Sequence, residues 1–321
     1  MLYTKIKSTG LEVSRFCLGT MTFGGQADQE ESARIFKTCL DAGVNFFDTA
    51  DVYTGGESER ILGGLMAGKR SELVLATKLG GRSAGGRNGS GLSRKHAIES
   101  VEGSLRRLNT DYIDVLYLHF PDPFTPAEEI AVTMDGLVKS GKIRYWGVSN
   151  FPTWQLCRLW HTAKEMHCIG PSVTETVYNL LTRGAEDEFL PFLRAYGMGM
   201  TVFNPLAGGL LTGKHQRGNP VPGSRFALEG GYAKRYFNER NFDAMDILKK
   251  TAEEQEMSLL ELSLRWLIAK NEVSSLIVGA SRAEQAAQNL TFFDGKAIEG
   301  VDAGCNAAWA LIKGNYFNYH Y

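Results

Sequence analysis

An α/β barrel of eight parallel strands is the fold this sequence predicts, and three observations predict it. Short β-rich apolar runs alternate with longer helical patterns along most of the chain. Such alternation implies parallel strands joined by right-handed crossovers. Eight strand candidates recur at a spacing of roughly 25–35 residues, which suits a closed (β/α)8 barrel better than an open sheet. With 321 residues, 43% of them hydrophobic, the chain can bury a large core without disulfide or metal staples.

The first run, Phe16-Cys17-Leu18, precedes a helical pattern from about Gln29 to Ala42. Val44-Asn45-Phe46-Phe47 follows, then a helix around Glu59 to Met66. The third run, Leu73-Val74-Leu75-Ala76, leads to the strongest helix, for which Ser93 is the expected N-cap. Its apolar positions Ala97, Val101, Leu105 and Leu108 step by three and four. Val115-Leu116-Tyr117-Leu118 comes next, then a helix over 127–140, then the fifth run from Ile143 to Val148. A helix over 153–166, Ser172-Val173-Thr174, a helix near 185–195 and the seventh run, Met200 to Phe203, continue the pattern. The eighth run, Ser275 to Val278, is followed by a helix over 282–290.

Three segments fall outside the repeat. Residues 2–15 read as a hairpin turning at Gly10 that could plug one barrel mouth. Residues 208–241, rich in Gly, Pro, Arg and Tyr, read as a long loop after strand seven. Residues 294–321 form a C-terminal tail with an aromatic end, Asn315 to Tyr321. No domain boundary is visible, so a single barrel domain over 1–321 is expected.

Lys plus Arg number 35 and Asp plus Glu 36, a formal net charge of −1. This argues against a nucleic-acid partner or an anionic-membrane binder. Five scattered cysteines without a C-x-x-C pair fit neither a disulfide framework nor a zinc site. The first ten residues lack a secretory apolar region, and no apolar run is long enough to span a membrane. A cytoplasmic protein without membrane insertion is expected. A homo-oligomer is compatible with the sequence.

Two segments imitate a phosphate loop. Gly63 to Lys69 and Gly208 to Lys214 both read G-x-x-x-x-G-K, but Arg70 and His215 stand where the Ser/Thr hydroxyl is required. No strand opens into G-x-G-x-x-G, so that dinucleotide fingerprint is missing.

The informative feature is where ionisable residues meet strand ends. Asp48 follows Phe46-Phe47, Tyr53 lies five residues on, Lys78 follows Leu75-Ala76-Thr77, and His119 follows Tyr117-Leu118. In a (β/α)8 barrel these positions share the active-site mouth. A Tyr hydroxyl ordinarily titrates near 10, about three units above neutral pH, and a neighbouring ammonium is expected to lower that value. An Asp would hold the Lys, and a His could orient a carbonyl oxygen. The set suits protonating an alkoxide as it forms, without a clustered metal-ligand pattern.

Over nearly its whole length the chain resembles the aldo-keto reductase superfamily. The likeness rests on Phe47-Asp48-Thr49-Ala50-Asp51-Val52-Tyr53, Ala76-Thr77-Lys78, Ser104 to Asp114, Gly147-Val148-Ser149-Asn150, Asn204 to Lys214, and Gly279-Ala280-Ser281-Arg282. Gly24-Gly25-Gln26, Gly91 to His96 and Pro121-Asp122-Pro123 further resemble the branch holding the potassium channel β subunits and their bacterial relatives. The resemblance implies a barrel binding NADP(H) in extended form, and a carbonyl or alcohol as small-molecule substrate. It implies Tyr53 as general acid, tuned by Lys78 and Asp48, with His119 aligning the carbonyl.

Cofactor contacts are implied at matching positions. Thr20, Met21, Gln26 and Asp48 would lie near the nicotinamide, Ser149 and Asn150 at its carboxamide, and Phe203 against its ring. Asn204, Pro205, Leu206, Ala207, Gly208, Lys214 and Arg225 would hold the pyrophosphate. Gly279, Ser281, Arg282, Gln285, Gln288 and Asn289 would clamp the adenosine and its 2′-phosphate. Arg282, beside Ser281 and free N–H groups at a helix start, also makes physical sense as a phosphomonoester site.

Two departures stand out. The family usually has Gln three residues before the Tyr-Asn pair, and here Glu175 precedes Tyr178-Asn179. An ionised Glu accepts but cannot donate, and its charge bears on cofactor affinity and redox preference. Channel β subunits typically lack a His at the position of His119. Three functions are thus in view: an NADPH-dependent carbonyl reductase, a nicotinamide-sensing regulatory subunit, and a Schiff-base barrel using Lys78. The last leaves Asn204 to Lys214 and Gly279 to Asn289 unexplained. A pocket lined by Phe120, Pro121, Phe124, Phe226 and Tyr232 is expected, with Met21, Phe23 and Tyr53 adding apolar surface and Trp146 and Trp266 in the core.

Overall fold

A computed structural model describes residues 1–228 and 230–314. The aromatic end of the tail, Asn315 to Tyr321, lies outside the described residues. In chain order the strands are β1 (Tyr3–Lys5), β2 (Glu12–Ser14), β3 (Phe16–Gly19), β4 (Phe46–Asp48) and β5 (Val74–Leu79). They continue with β6 (Ile113–Leu118), β7 (Ile143–Ser149), β8 (Val173–Val177), β9 (Gly199–Phe203) and β10 (Val273–Gly279). The helices are α1 (Gln29–Asp41), α2 (Glu57–Leu65), α3 (Arg94–Leu108), α4 (Ala127–Lys139), α5 (Thr153–Glu165) and α6 (Phe189–Tyr196). They continue with α7 (Arg225–Leu228), α8 (Gly230–Tyr236), α9 (Glu239–Glu254), α10 (Leu259–Ile268), α11 (Ala283–Leu290) and α12 (Asp302–Lys313).

The chain divides into two compact units: Met1–Thr176, Phe189–Phe203 and Glu272–Asp294 form one, and Val177–Glu188, Asn204–Asn271 and the chain from Gly295 form the other. In the first, β3 to β10 close into a parallel barrel in the order β10-β3-β4-β5-β6-β7-β8-β9. This is the (β/α)8 architecture, and all eight strand candidates occupy it in sequence order.

Local signals place the helices. Asp28 caps α1 by accepting from the Glu31 N–H at 2.9 Å, and Ser32, Ile35, Phe36 and Cys39 bury at helical spacing. Ser93 caps α3 through the His96 N–H, as its sequence predicts, and Asn109 ends that helix at a φ of 50°.

Strand side chains alternate, so inward positions step by two. Cys17, Phe46, Val74, Ala76, Val115, Tyr117, Val173 and Ile277 fill the barrel. Their outward neighbours meet helices: Phe47 packs on Phe36 of α1, ring centroids 4.8 Å apart. The β1–β2 hairpin is antiparallel, with Tyr3 opposite Ser14. Ile6, just after β1, and Val13 of β2 join the barrel cluster, close to where the strands begin. A Cβ on Gly199, first residue of β9, would stand 2.5 Å from Ile6. The hairpin thus plugs the N-terminal mouth.

In the second unit the expected 208–241 loop is not irregular. It holds a 3-10 turn (Ala207–Thr212), the short α7 and α8, and the start of α9. Dense Gly and Pro obscured these elements, yet side-chain caps at Asn238 and Ser258 fix the starts of α9 and α10. The tail contains α12, packed against α9 so closely that a Cβ on Gly304 would strike Thr251. Trp266 lies against Tyr178 and beneath the Arg183 guanidinium, and Trp146 is fully buried in the first unit. No helix among the described residues is long and apolar enough to cross a membrane.

Candidate active site

Moving two residues up from each barrel-filling side chain gives the next inward position. Phe46 leads to Asp48, Ala76 to Lys78, Tyr117 to His119 and Val173 to Glu175. Four ionisable groups therefore form the layer above an apolar plug, at the C-terminal ends of β4, β5, β6 and β8. They lie in a single unit of the molecule.

Lys78 sits at the centre. Its Nζ donates to Asp48 Oδ1 at 2.5 Å and to the Thr49 carbonyl at 3.0 Å. Glu175 Oε2 stands 3.4 Å from the same nitrogen, and the Tyr53 ring centroid 5.3 Å from it. The His119 ring meets Tyr53 edge-on, centroids 6.0 Å apart. The four residues assigned to catalysis thus converge. Tyr53 opens a short turn, Tyr53–Gly56, in which Thr54 has a φ of 47°. A β-branched residue there is strained. Thr54 Oγ1 holds it by donating to the Phe23 carbonyl at 2.8 Å and accepting from the Ser58 N–H.

Burial governs the electrostatics. It works against the Lys78 ammonium, but Asp48, Glu175 and Tyr53 together raise its pKa well above the ordinary value. Asp48 is pushed upward by burial against the pull of Lys78. Burial, then Asp48, push Glu175 up to about 8, again against Lys78. The expected lowering of Tyr53 is overturned. Burial lifts its hydroxyl to about 12, with Asp48 and Glu175 adding to the rise, and Lys78 offsets only part. The carboxylates accompanying the ammonium cancel much of its field. His119 is held down to about 3 by burial and Lys78. It is neutral at physiological pH, and its Nδ1 is buried without a partner.

The residues assigned to a cofactor divide by unit. In the barrel unit, the Thr20 hydroxyl donates to the Asp48 carbonyl at 3.0 Å and pairs with Ser58. Met21 and Gln26 are exposed. Ser149 pairs with Glu175 across β7 and β8. Asn150, at a φ of 62°, donates to the His119 carbonyl and the Ser149 hydroxyl, both at 3.0 Å. Phe203 ends β9 and packs on the barrel cluster. Gly279 ends β10, and Arg282 is the exposed N-cap of α11. The N–H groups beside it are not free. The Ser281 N–H donates to Gln285 Oε1 at 3.0 Å, and the Ala283 N–H to Glu31 Oε1 at 2.6 Å. Gln288 is exposed and Asn289 buried.

In the second unit Asn204, Ala207, Gly208, Gly209 and Gly213 all have positive φ. Asn204 Oδ1 accepts from the Gly208 N–H at 2.5 Å, and its Nδ2 donates to Tyr236 at 2.9 Å. Pro205 is buried and Leu206 half-buried, Lys214 is exposed, and the Arg225 guanidinium lies 4.9 Å over the Tyr232 ring. Most backbone N–H groups of this turn are taken within it: those of Ala207, Gly209, Leu211 and Gly213 donate to the carbonyls of Asn204, Leu206, Leu206 and Leu210.

Among the expected aromatic walls, Phe120 stacks on His119 at 4.3 Å and Phe124 is exposed. Phe23 and Phe226 are buried core instead. Asp51, three residues beyond Asp48, is a buried carboxyl that burial pushes up to about 7, and it carried no sequence signal. Glu175 was assigned only to the cofactor; strand parity with Val173 is the signal that also places it on Lys78. Among the described residues no group of three or more His, Cys, Asp or Glu could hold a metal ion.

Several known proteins are similar in sequence over most of this chain. A rice (Oryza sativa subsp. japonica) protein described as a probable voltage-gated potassium channel subunit beta is 41% identical over 303 residues, 92% of either chain. A protein of the same description from Arabidopsis thaliana is 39% identical, with 92% of each chain covered. A putative voltage-gated potassium channel subunit beta from Schizosaccharomyces pombe is 37% identical over 92% of this chain and 87% of its own. The Aldo/keto reductase family model matches residues 15–300, from the residue before the first barrel strand to beyond α11, and the chain belongs to the aldo/keto reductase family.

Proposed function

We propose that the protein is an NADPH-dependent reductase of aldehydes or ketones, working reversibly on the corresponding alcohols in the cytoplasm. The observation that carries this reading is the convergence of Tyr53, Lys78, Asp48 and His119 at the C-terminal mouth of the barrel. The residues fit a dinucleotide. Asp48 Oδ2 and Glu175 Oε2 are buried polar atoms without hydrogen-bond partners, open to accept from a ligand's amide or hydroxyl groups. Ser149, Asn150 and Phe203 would receive the nicotinamide end, and Arg282 and Gln285 the 2′-phosphate end.

When bound, the reduced cofactor would supply a hydride to the carbonyl carbon. The Tyr53 hydroxyl gives its proton to the oxygen as charge develops there and regains one from solvent. With a pKa of about 12, Tyr53 keeps its proton at rest, as a general acid must. Lys78 steadies the phenolate left behind, and Asp48 holds the ammonium in place. Neutral His119 donates a hydrogen bond that orients the carbonyl without competing for the proton. Steady-state NADPH consumption on a panel of aldehydes, ketones and sugars tests the reading; absence of turnover on every class would defeat it.

The names of the relatives favour a second reading, a nicotinamide-sensing regulatory subunit acting through a channel or other protein partner. It predicts tight cofactor binding, slow turnover and slow cofactor exchange. Rapid turnover with fast exchange would exclude a purely regulatory role. His119 beside Tyr53 supports the enzyme.

A further inference from the structure

Charge does not balance around Lys78. One ammonium meets two carboxylates, and 1%, 3% and 4% of the Lys78, Asp48 and Glu175 side chains are exposed. Asp48 Oδ1 accepts the short hydrogen bond. Asp48 Oδ2 and Glu175 Oε2 are sealed from water and accept none. The other titratable groups acting here are Tyr53 from the turn after β4, Tyr117 from β6 and Cys17 from β3, all uncharged while protonated, and His119 at the end of β6, held neutral at physiological pH. Ser149 of β7 and Thr201 of β9 bring only hydroxyls. Among the described residues, Lys78 is the one cation acting on Glu175.

A surplus negative charge in a buried site can be relieved by a proton or by a cation. The proton route shows in Glu175 itself, which keeps its proton up to about 8. The cation must come from a ligand. On the hydride-transfer reading, on which this inference rests, the ligand exists in two forms: a cationic oxidised nicotinamide and a neutral reduced one. We propose that Glu175 determines specificity for the redox form of the cofactor: as a second carboxylate on Lys78, it makes the pocket favour the oxidised form over the reduced one, by a margin that grows with pH.

The proton balance is simple. When the oxidised form binds, the Glu175 carboxyl would release its proton to solvent and its carboxylate would offset the added positive charge; no covalent bond to the ligand forms and no electron moves. When the reduced form binds, Glu175 keeps the proton. Oxidised-form binding therefore tightens as pH rises toward about 8 and levels off above it. Reduced-form binding gains nothing over that range. A glutamine at this position would abolish the difference.

The test is calorimetric titration of the full-length protein with NADP+ and with NADPH between about pH 6 and 8. The ratio of the two dissociation constants should move toward NADP+ by about tenfold or more in the wild type. It should stay flat in Glu175→Gln. The cofactor's 2′-phosphate titrates nearby but is common to both ligands, so it cancels in the ratio. Titrations in buffers of different ionisation heat add a readout that needs no variant: near neutral pH, NADP+ should release close to one proton more than NADPH. Equal proton release, or a wild-type ratio indifferent to pH, sinks the assignment of Glu175. So does a Glu175→Gln ratio with the wild-type slope. A wild-type protein that binds neither nucleotide instead defeats the hydride-transfer reading, and the inference with it.

Discussion

The two mouths of the barrel are built from the same strands and solve opposite problems. At the N-terminal mouth, Ile6 and Val13 from the hairpin region join Val74, Phe46 and Val173 in one apolar cluster. At the C-terminal mouth, two to four residues further along, the same inward rows carry Asp48, Lys78, His119 and Glu175, some of whose polar atoms are buried without partners. The first mouth spends its residues on burial and the second on chemistry, as expected for this architecture. Stability and activity should therefore be separable by which mouth is altered.

The largest effect should come at the polar mouth. Tyr53→Phe should lower turnover by about 10²–10⁴, while NADPH binding by fluorescence titration and the thermal midpoint stay near wild type. Equal loss of binding and turnover would contradict the role of the hydroxyl. Lys78→Met should blur the comparison, because it removes the cation from two buried carboxylates. A loss of about 3–5 kcal/mol in urea unfolding is expected along with activity; an unchanged midpoint would show that the pair is not coupled as drawn. Ile6→Ala at the apolar mouth should cost about 2–5 kcal/mol through the cavity it leaves, with kcat/KM unaltered. A kinetic defect there would break the separation.

The smallest effect is the most diagnostic of charge. Unfolded Glu175 ionises in the ordinary carboxylate range, whereas the folded protein keeps its proton up to about 8. Across that window the unfolded state binds fewer protons, so wild-type stability falls as pH rises. Glu175→Gln lacks this drain. The variant's thermal midpoint should gain on the wild type between about pH 5 and 8 by a few degrees, and a constant difference would count against the buried carboxyl.

Much of this was legible in the chain. Local rules found the eight strands in order, Ser93 as a cap, and the residues at strand ends. Parity, once the strands are known, leads from Ala76 to Lys78 and from Tyr117 to His119. The helices α9, α10 and α12 were hidden by the Gly- and Pro-rich stretch before them and by the expectation of a tail. The pairing of the Ala283 N–H with Glu31 was hidden too, since those residues are 252 positions apart.

By itself the sequence determined which side chains face the barrel and at which end, because alternation along a strand is a local property of the backbone. Tertiary structure alone decided their protonation. The rise of Tyr53 rather than its fall, the neutrality of His119 and the second carboxylate on Lys78 all depend on how far water is excluded and how closely separate strands bring charges together. Those distances exist only once the barrel has closed.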